Sequence, residues 1–103
     1  MGASIRTEPV VEVEGALRRC EFIEEEAGEL RAAVLSGDTI AAADALADIA
    51  YVVYGTALHF GIDLDAVVAE VHRSNMTKTP AGDGKAIKGA DYRPPAIAPL
   101  LGR

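Results

Sequence analysis

Apolar residues recur along the first third of the chain at three- and four-residue steps: Val10, Val13, Leu17, Cys20, Ile23, Ala27, Leu30 and Val34. This is the helical period, and it predicts a helix over residues 10–36 that ends near Ser36-Gly37. Pro9 suits a first helical turn, whereas Val10 to Val13 also reads as a short extended piece, so the start lies between Pro9 and Gly15. A second stripe, Ile40, Ala43, Leu46, Ala47, Ala50, Val53, Ala57 and Phe60, predicts a helix over 39–60. Asp38 or Thr39 would cap it and Gly61 would stop it. Asp63 caps a third helix, over 64–78, with the stripe Leu64, Val67, Val68, Val71 and Met76. After Thr79-Pro80 the periodicity ends. Ala81 to Lys85 is a turn by composition, and Pro94, Pro95 and Pro99 keep the tail, 79–103, out of regular helix.

These elements make an all-α fold, three main helices and an irregular C-terminal tail, in a single domain over 1–103. The middle helix is apolar on nearly every side, which places it centrally or at a subunit interface. A chain this short gains from a partner subunit that covers its apolar faces, so the bundle is expected to be completed by oligomerisation.

Charge narrows the function. The formal net charge is −6, and a nucleic-acid binder would need a basic face to neutralise phosphates, so no nucleic-acid partner is expected. Residues 1–69 hold 13 acidic and 4 basic residues, and residues 70–103 hold 3 and 6. An acidic body with a mildly basic end suits a metal-chelated anionic ligand; a solvated acidic surface gives the same count. Cys20 is the only cysteine, which rules out an intrachain disulfide or a cysteine zinc cluster, and it is expected in the core. The N-terminus does not resemble a signal peptide and no apolar run looks long enough to span a bilayer. A cytoplasmic protein without a membrane partner is the expectation.

The chemistry concentrates in Glu24-Glu25-Glu26-Ala27-Gly28-Glu29, where like charges one turn apart repel unless water or a cation screens them. Glu25 and Glu29 lie about 40° apart on a helix, and Glu26 and Glu29 about 60°, so they share a face; Glu24, about 100° from Glu25, points to solvent. A solvated face would explain the glutamates alone. Asp44 and Asp48, however, stand one turn apart in a helix otherwise too apolar to be a solvent face, and aspartates are rarely buried without partners. The short link at Gly37-Asp38 favours antiparallel helices that set the two carboxylate groups opposite each other. Facing carboxylates without matching cations call for a divalent metal, and all-oxygen ligands point to Mg²⁺ or Mn²⁺. Further along, Asn75 and Lys78 share a helix face and offer a hydrogen-bonding amide and a mobile cation. Lys85, Lys88, Tyr92 and Arg93 in the tail are placed to close over an anion or to pack on a neighbouring subunit.

The ordered set Glu25-Glu26-x-x-Glu29, Asp44-Ala-Leu-Ala-Asp48-Ile-x-Tyr51 and Glu70-Val-His-Arg-Ser-Asn-Met-x-Lys78, with the tail from Asp83 to Pro95, resembles the MazG-like all-α nucleoside triphosphate pyrophosphatase superfamily. Within it, the chain is most similar to single-domain dUTPase-like and phosphoribosyl-ATP pyrophosphohydrolase-like members. The resemblance implies a homodimer or homotetramer and Mg²⁺-dependent cleavage of a nucleoside triphosphate to monophosphate and pyrophosphate. In the family the metal is held by a Glu-Glu-x-x-Glu segment, which maps onto Glu25, Glu26 and Glu29, and by a later segment whose aspartate falls on Asp48 or Asp44. The mechanism these residues suggest keeps Glu26 and Glu29 with Asp48 or Asp44 on the metal and uses Glu25 as general base, with Lys78, and Arg73 or a tail lysine, stabilising the leaving group and Asn75, Tyr51, Lys85, Lys88 and Tyr92 contacting substrate. One departure stands out. The family's second ligand segment is Glu-x-x-Asp, and the glutamate position falls on Ala45 if Asp48 is the aspartate, or on Ala41 if Asp44 is, which keeps two alternatives beside the pyrophosphatase reading: a non-catalytic nucleotide- or partner-binding helical module, and a phosphoribosyl-ATP pyrophosphohydrolase.

Overall fold

The computed structural model describes residues 8–80 and 83–103, and it is all-α. Its elements are α1 (Val13–Leu35), α2 (Thr39–Phe60), α3 (Leu64–Asn75), the two-residue strands β1 (Thr79–Pro80) and β2 (Ala86–Ile87), and a closing 3-10 turn, Ala98–Leu101. The residues group into two compact units, one ending at Ile62 and the other spanning Asp63–Arg103.

The first unit is an antiparallel hairpin of α1 and α2. Asp38 caps α2 by accepting the Ala41 N–H at 2.9 Å, and Gly61 ends it with φ +74°, a backbone state that suits glycine. The start of α1 differs from the predicted 10–36. Val10 donates its N–H to the Phe60 carbonyl at 2.9 Å, and Glu12 is extended, so helix begins only at Val13. A tertiary hydrogen bond therefore holds 10–12 out of the helix.

The seam between α1 and α2 is rotated from the apolar stripes. Buried or half-buried on α1 are Ala16, Arg19, Phe22, Ile23, Glu26, Leu30 and Ala33, whereas Val13, Leu17 and Val34 are exposed. Cys20, expected in the core, is exposed as well. On α2, Ala45 and Ala57 are buried while Ile40, Leu46, Tyr51 and Leu58 face outward. Alanines allow close approach of the helices, and polar groups occupy the gap between them. Arg19 crosses the seam, donating to Thr56 Oγ1 at 3.2 Å and to the Val52 carbonyl at 3.4 Å. Gly55 makes room for it, since a Cβ there would lie 2.7 Å from Arg19 Nη2.

By length and composition α2 is long and apolar enough to cross a membrane. This corrects the expectation that no run reaches that length; two aspartates do not lower the average enough. The helix pairs with α1 and turns the Asp48 carboxylate towards Glu26 and Glu29 of that helix.

In the second unit Asp63 caps α3 through the Ala66 N–H. The helix ends at Asn75 rather than at 78, because Thr77 turns its hydroxyl onto the Ser74 carbonyl at 2.6 Å, and residues 76–78 tighten into turns. The tail is irregular but bound to α3. Ser74, 1% exposed, donates to the Arg93 carbonyl at 2.7 Å, and the Arg93 N–H donates to Thr77 Oγ1 at 2.8 Å. Glu70 accepts the Ala96 N–H at 2.7 Å and holds Arg73 through two hydrogen bonds. Among the tail residues expected to turn, Asp83 and Gly84 do so; Ala81 and Gly82 lie outside the described residues.

Candidate functional site

Within the hairpin, α1 presents Glu26 and Glu29 and α2 presents Asp48, each with a carboxylate oxygen within 4.8 Å of the others. The helical offset from Glu26 to Glu29 keeps both on one face, and the antiparallel pairing brings Asp48 opposite them. Asp48 rather than Asp44 completes the group; Asp44 is exposed and outside it. Ala45, one turn before Asp48, is 4% exposed, so its methyl is packed where the family pattern would place a carboxylate. Glu25 is exposed beside the group, and Glu24 is exposed as the sequence suggests.

Glu26 carries the strongest electrostatic signature. It is half-buried, and its Oε2 atom is sealed from solvent with no hydrogen-bond partner. Burial raises its pKa above the ordinary 4.5, and a hydrogen bond to Glu29 and the charges of Glu29, Asp48 and Glu25 raise it further. A metal-free, fully ionised trio is therefore repulsive, and a divalent cation would satisfy the orphan oxygen and the clustered charge together. The donor set fits a hard cation of the Mg²⁺ or Mn²⁺ type.

Tyr51 is 83% exposed and lines an apolar groove of about 580 Å³ on α2, with Ala47, Ala50, Tyr54, Gly55 and Leu58. In the second unit Asn75, Lys78 and Lys85 line a cavity of about 440 Å³. Lys78 and Lys88 both lie near the face of the Tyr92 ring. Arg73 is engaged elsewhere, bonded to Glu70 and to the Pro94 carbonyl at 3.1 Å. Two residues that sequence reasoning passed over shape these neighbourhoods, Ser74 and Arg19. A serine in an amphipathic helix and an arginine in an apolar stripe look like ordinary surface residues until their partners are in view.

Comparison with known families gives one result. The profile of the family described as phosphoribosyl-ATP pyrophosphohydrolase matches residues 5–75, more than half of the chain and all of α1, α2 and α3. No curated protein matches the chain.

Proposed function

The chain belongs to the phosphoribosyl-ATP pyrophosphohydrolase family, and from this premise we propose that it is a divalent-metal-dependent nucleoside triphosphate pyrophosphohydrolase. It would convert an NTP or dNTP to the monophosphate and pyrophosphate, a reaction suited to clearing unwanted nucleotides from the pool. The family supports phosphoanhydride hydrolysis and a nucleotide substrate; the NTP substrate and the use of Mg²⁺ are our reading.

The observation that carries it is the trio Glu26, Glu29 and Asp48 with its orphan oxygen. These residues would hold the metal, which supplies charge neutralisation for phosphate oxygens and a lowered pKa for bound water. Glu25, exposed beside them, is assigned as the general base that takes the proton from the attacking water. The water oxygen bonds to phosphorus while the α–β bridging bond breaks and its electrons leave with pyrophosphate. Lys78 is assigned to stabilise the charge growing on that leaving group. Asn75, Tyr51, Arg73, Lys85, Lys88 and Tyr92 remain the proposed substrate contacts, and Asp44 a peripheral acid. We further propose that a second copy of the chain covers the outward apolar face of α2, as a homodimer or homotetramer.

The test is incubation of the purified chain and Mg²⁺ with a panel of NTPs, dNTPs and phosphoribosyl-ATP, with products resolved chromatographically. Monophosphate and pyrophosphate from an NTP or dNTP are expected. The family's own description favours a second reading, and turnover of phosphoribosyl-ATP alone would establish it instead. Release of orthophosphate, or no turnover, sinks both.

A further inference from the structure

Gly28 stands in the interior of α1, where glycine is the least favourable residue after proline. Gly15 approaches the His59 ring and Gly55 makes room for Arg19, but a Cβ built on Gly28 meets no atom within 4 Å. Packing within the chain therefore does not require this glycine. With Ala27 it floors a hollow of about 580 Å³ on α1, bounded by Glu24, Arg31 and Leu35. Gly28 lies about 160° round the helix from both Glu26 and Leu30, so the hollow opens on the side away from α2.

The residues of this face are placed symmetrically. Glu24 and Arg31 flank the Ala27-Gly28 pair three positions out on either side, Cys20 and Leu35 follow at seven, and all six are exposed. They fall within an arc of about 100°. Along a helix each charge would be neutralised from three or four residues away, and between Glu24 and Arg31 those positions are Ala27 and Gly28. Neither charge has an ion-pair partner among the described residues. At about 10 Å along the axis, they are too far apart to pair with each other.

We propose that this face of α1 is a twofold interface, on which the same face of a second copy of the chain packs antiparallel with the axis between Ala27 and Gly28. In that register Glu24 of each copy meets Arg31 of the other, the small residues lie over one another, and Leu35 covers Cys20. A twofold contact needs a self-complementary surface, and opposite charges at equal distances from one centre supply it. A parallel pairing would set Glu24 against Glu24 and Arg31 against Arg31, which repel. Charge thus fixes both the occupant and its direction. The missing Cβ of Gly28 lets the two backbones approach closely, and Leu35, 79% exposed in the single chain, gains apolar cover. The carboxylate trio is on the far side of α1, so the inference does not depend on the proposed function. Beside the α2 face, it is the second twofold contact that a tetramer of dihedral symmetry requires.

The experiment uses Cys20, the only cysteine in the chain. The full chain carrying Leu35→Cys is oxidised with diamide at tens of micromolar and resolved on a non-reducing gel. Positions 20 and 35 are about 22 Å apart along one helix, so a disulfide between them joins two chains. A linked dimer is expected, and it should disappear when Cys20→Ala is added. Glu24→Arg should reduce the linked fraction about tenfold or more, because like charges then face each other, and adding Arg31→Glu should restore it to within about threefold. Gly28→Leu should reduce linking while raising helix propensity. Circular dichroism checks that each variant is folded, and the charge reversal and its rescue are read by sedimentation alone if Leu35→Cys does not fold. No linked dimer, linking that persists without Cys20, or a double reversal no better than Glu24→Arg would each overturn the proposal. A chain that is monomeric by sedimentation at the same concentration would overturn it too, whatever other protein then covers the face. Because no turnover is measured, failure of the nucleotide panel leaves this interface standing.

Discussion

Glu26 has one oxygen sealed from water with no donor facing it, and burial, with the acids around it, raises its pKa. A carboxylate with a raised folded-state pKa contributes stability below its ordinary value of 4.5, and that contribution is lost as pH rises through the raised value. At neutral pH in metal-free buffer its charge therefore works against the fold. Glu26→Gln is expected to raise the melting temperature there while lowering kcat by about a hundredfold or more, since it removes a proposed metal ligand. Asp44→Asn, outside the trio, should leave kcat within a few-fold, and steady-state kinetics with thermal denaturation separates the two outcomes. Glu70 behaves in the opposite sense. Hydrogen bonds from Arg73, and after them the Ala96 N–H, hold its pKa down to about 2. Its contribution is present above the ordinary carboxylate value and is lost as pH falls through about 2. Glu70→Gln should thus reduce the melting temperature at pH 7, with the gap from the parent chain closing on acidification below 4.5. A gap that widens in acid would refute the assignment.

At the scale of elements, the helix ends were legible wherever the terminating chemistry is local. Asp38, Asp63 and Gly61 do what their residue types predict, because a cap needs only a side chain and its own next turn. Asp38→Ala should cost about 1 kcal/mol and lower the melting temperature by roughly 4–8 °C, as measured by calorimetry. The ends that differed involve distant partners, at α3 together with the local bond from the Thr77 hydroxyl to the Ser74 carbonyl. Val10 is held out of α1 by Phe60, and the last turn of α3 is unwound beside a tail that returns to Ser74 and Thr77. No window of sequence around Val10 or Lys78 contains those partners. The carboxylate trio is intermediate: helical spacing places Glu26 beside Glu29, but the choice of Asp48 over Asp44 depends on the rotation of α2 against α1.

For the whole molecule, the outward face of α2 is the unresolved hydrophobic surface. Ile40 is 85% exposed and Tyr51 83%, on a helix apolar enough to pass for a membrane span. Surface of that kind is covered by a partner in a stable soluble assembly. Sedimentation at micromolar concentration should show a dimer or larger species, and Ala50→Arg, at an exposed position on that face, should shift it towards monomer. A parent chain that sediments as monomer at tens of micromolar, a concentration at which interfaces of standard size associate, would remove the oligomer from the proposal.

The sequence by itself determined the number of helices, most of their caps, the antiparallel α1–α2 hairpin and the presence of facing acids. All of these follow from short-range periodicity, a short link and residue chemistry. Only the tertiary structure decided which stripe of each helix turns inward. Periodicity marks where apolar residues align but not what they align against, so it assigned Val13, Leu17 and Cys20 to a seam that Ala16, Arg19 and Glu26 occupy beside Ile23. Close approach favoured the small side chains, with Gly55 giving Arg19 its passage across the seam. That rotation left the larger apolar residues facing outward and turned Glu26, Glu29 and Asp48 towards one another.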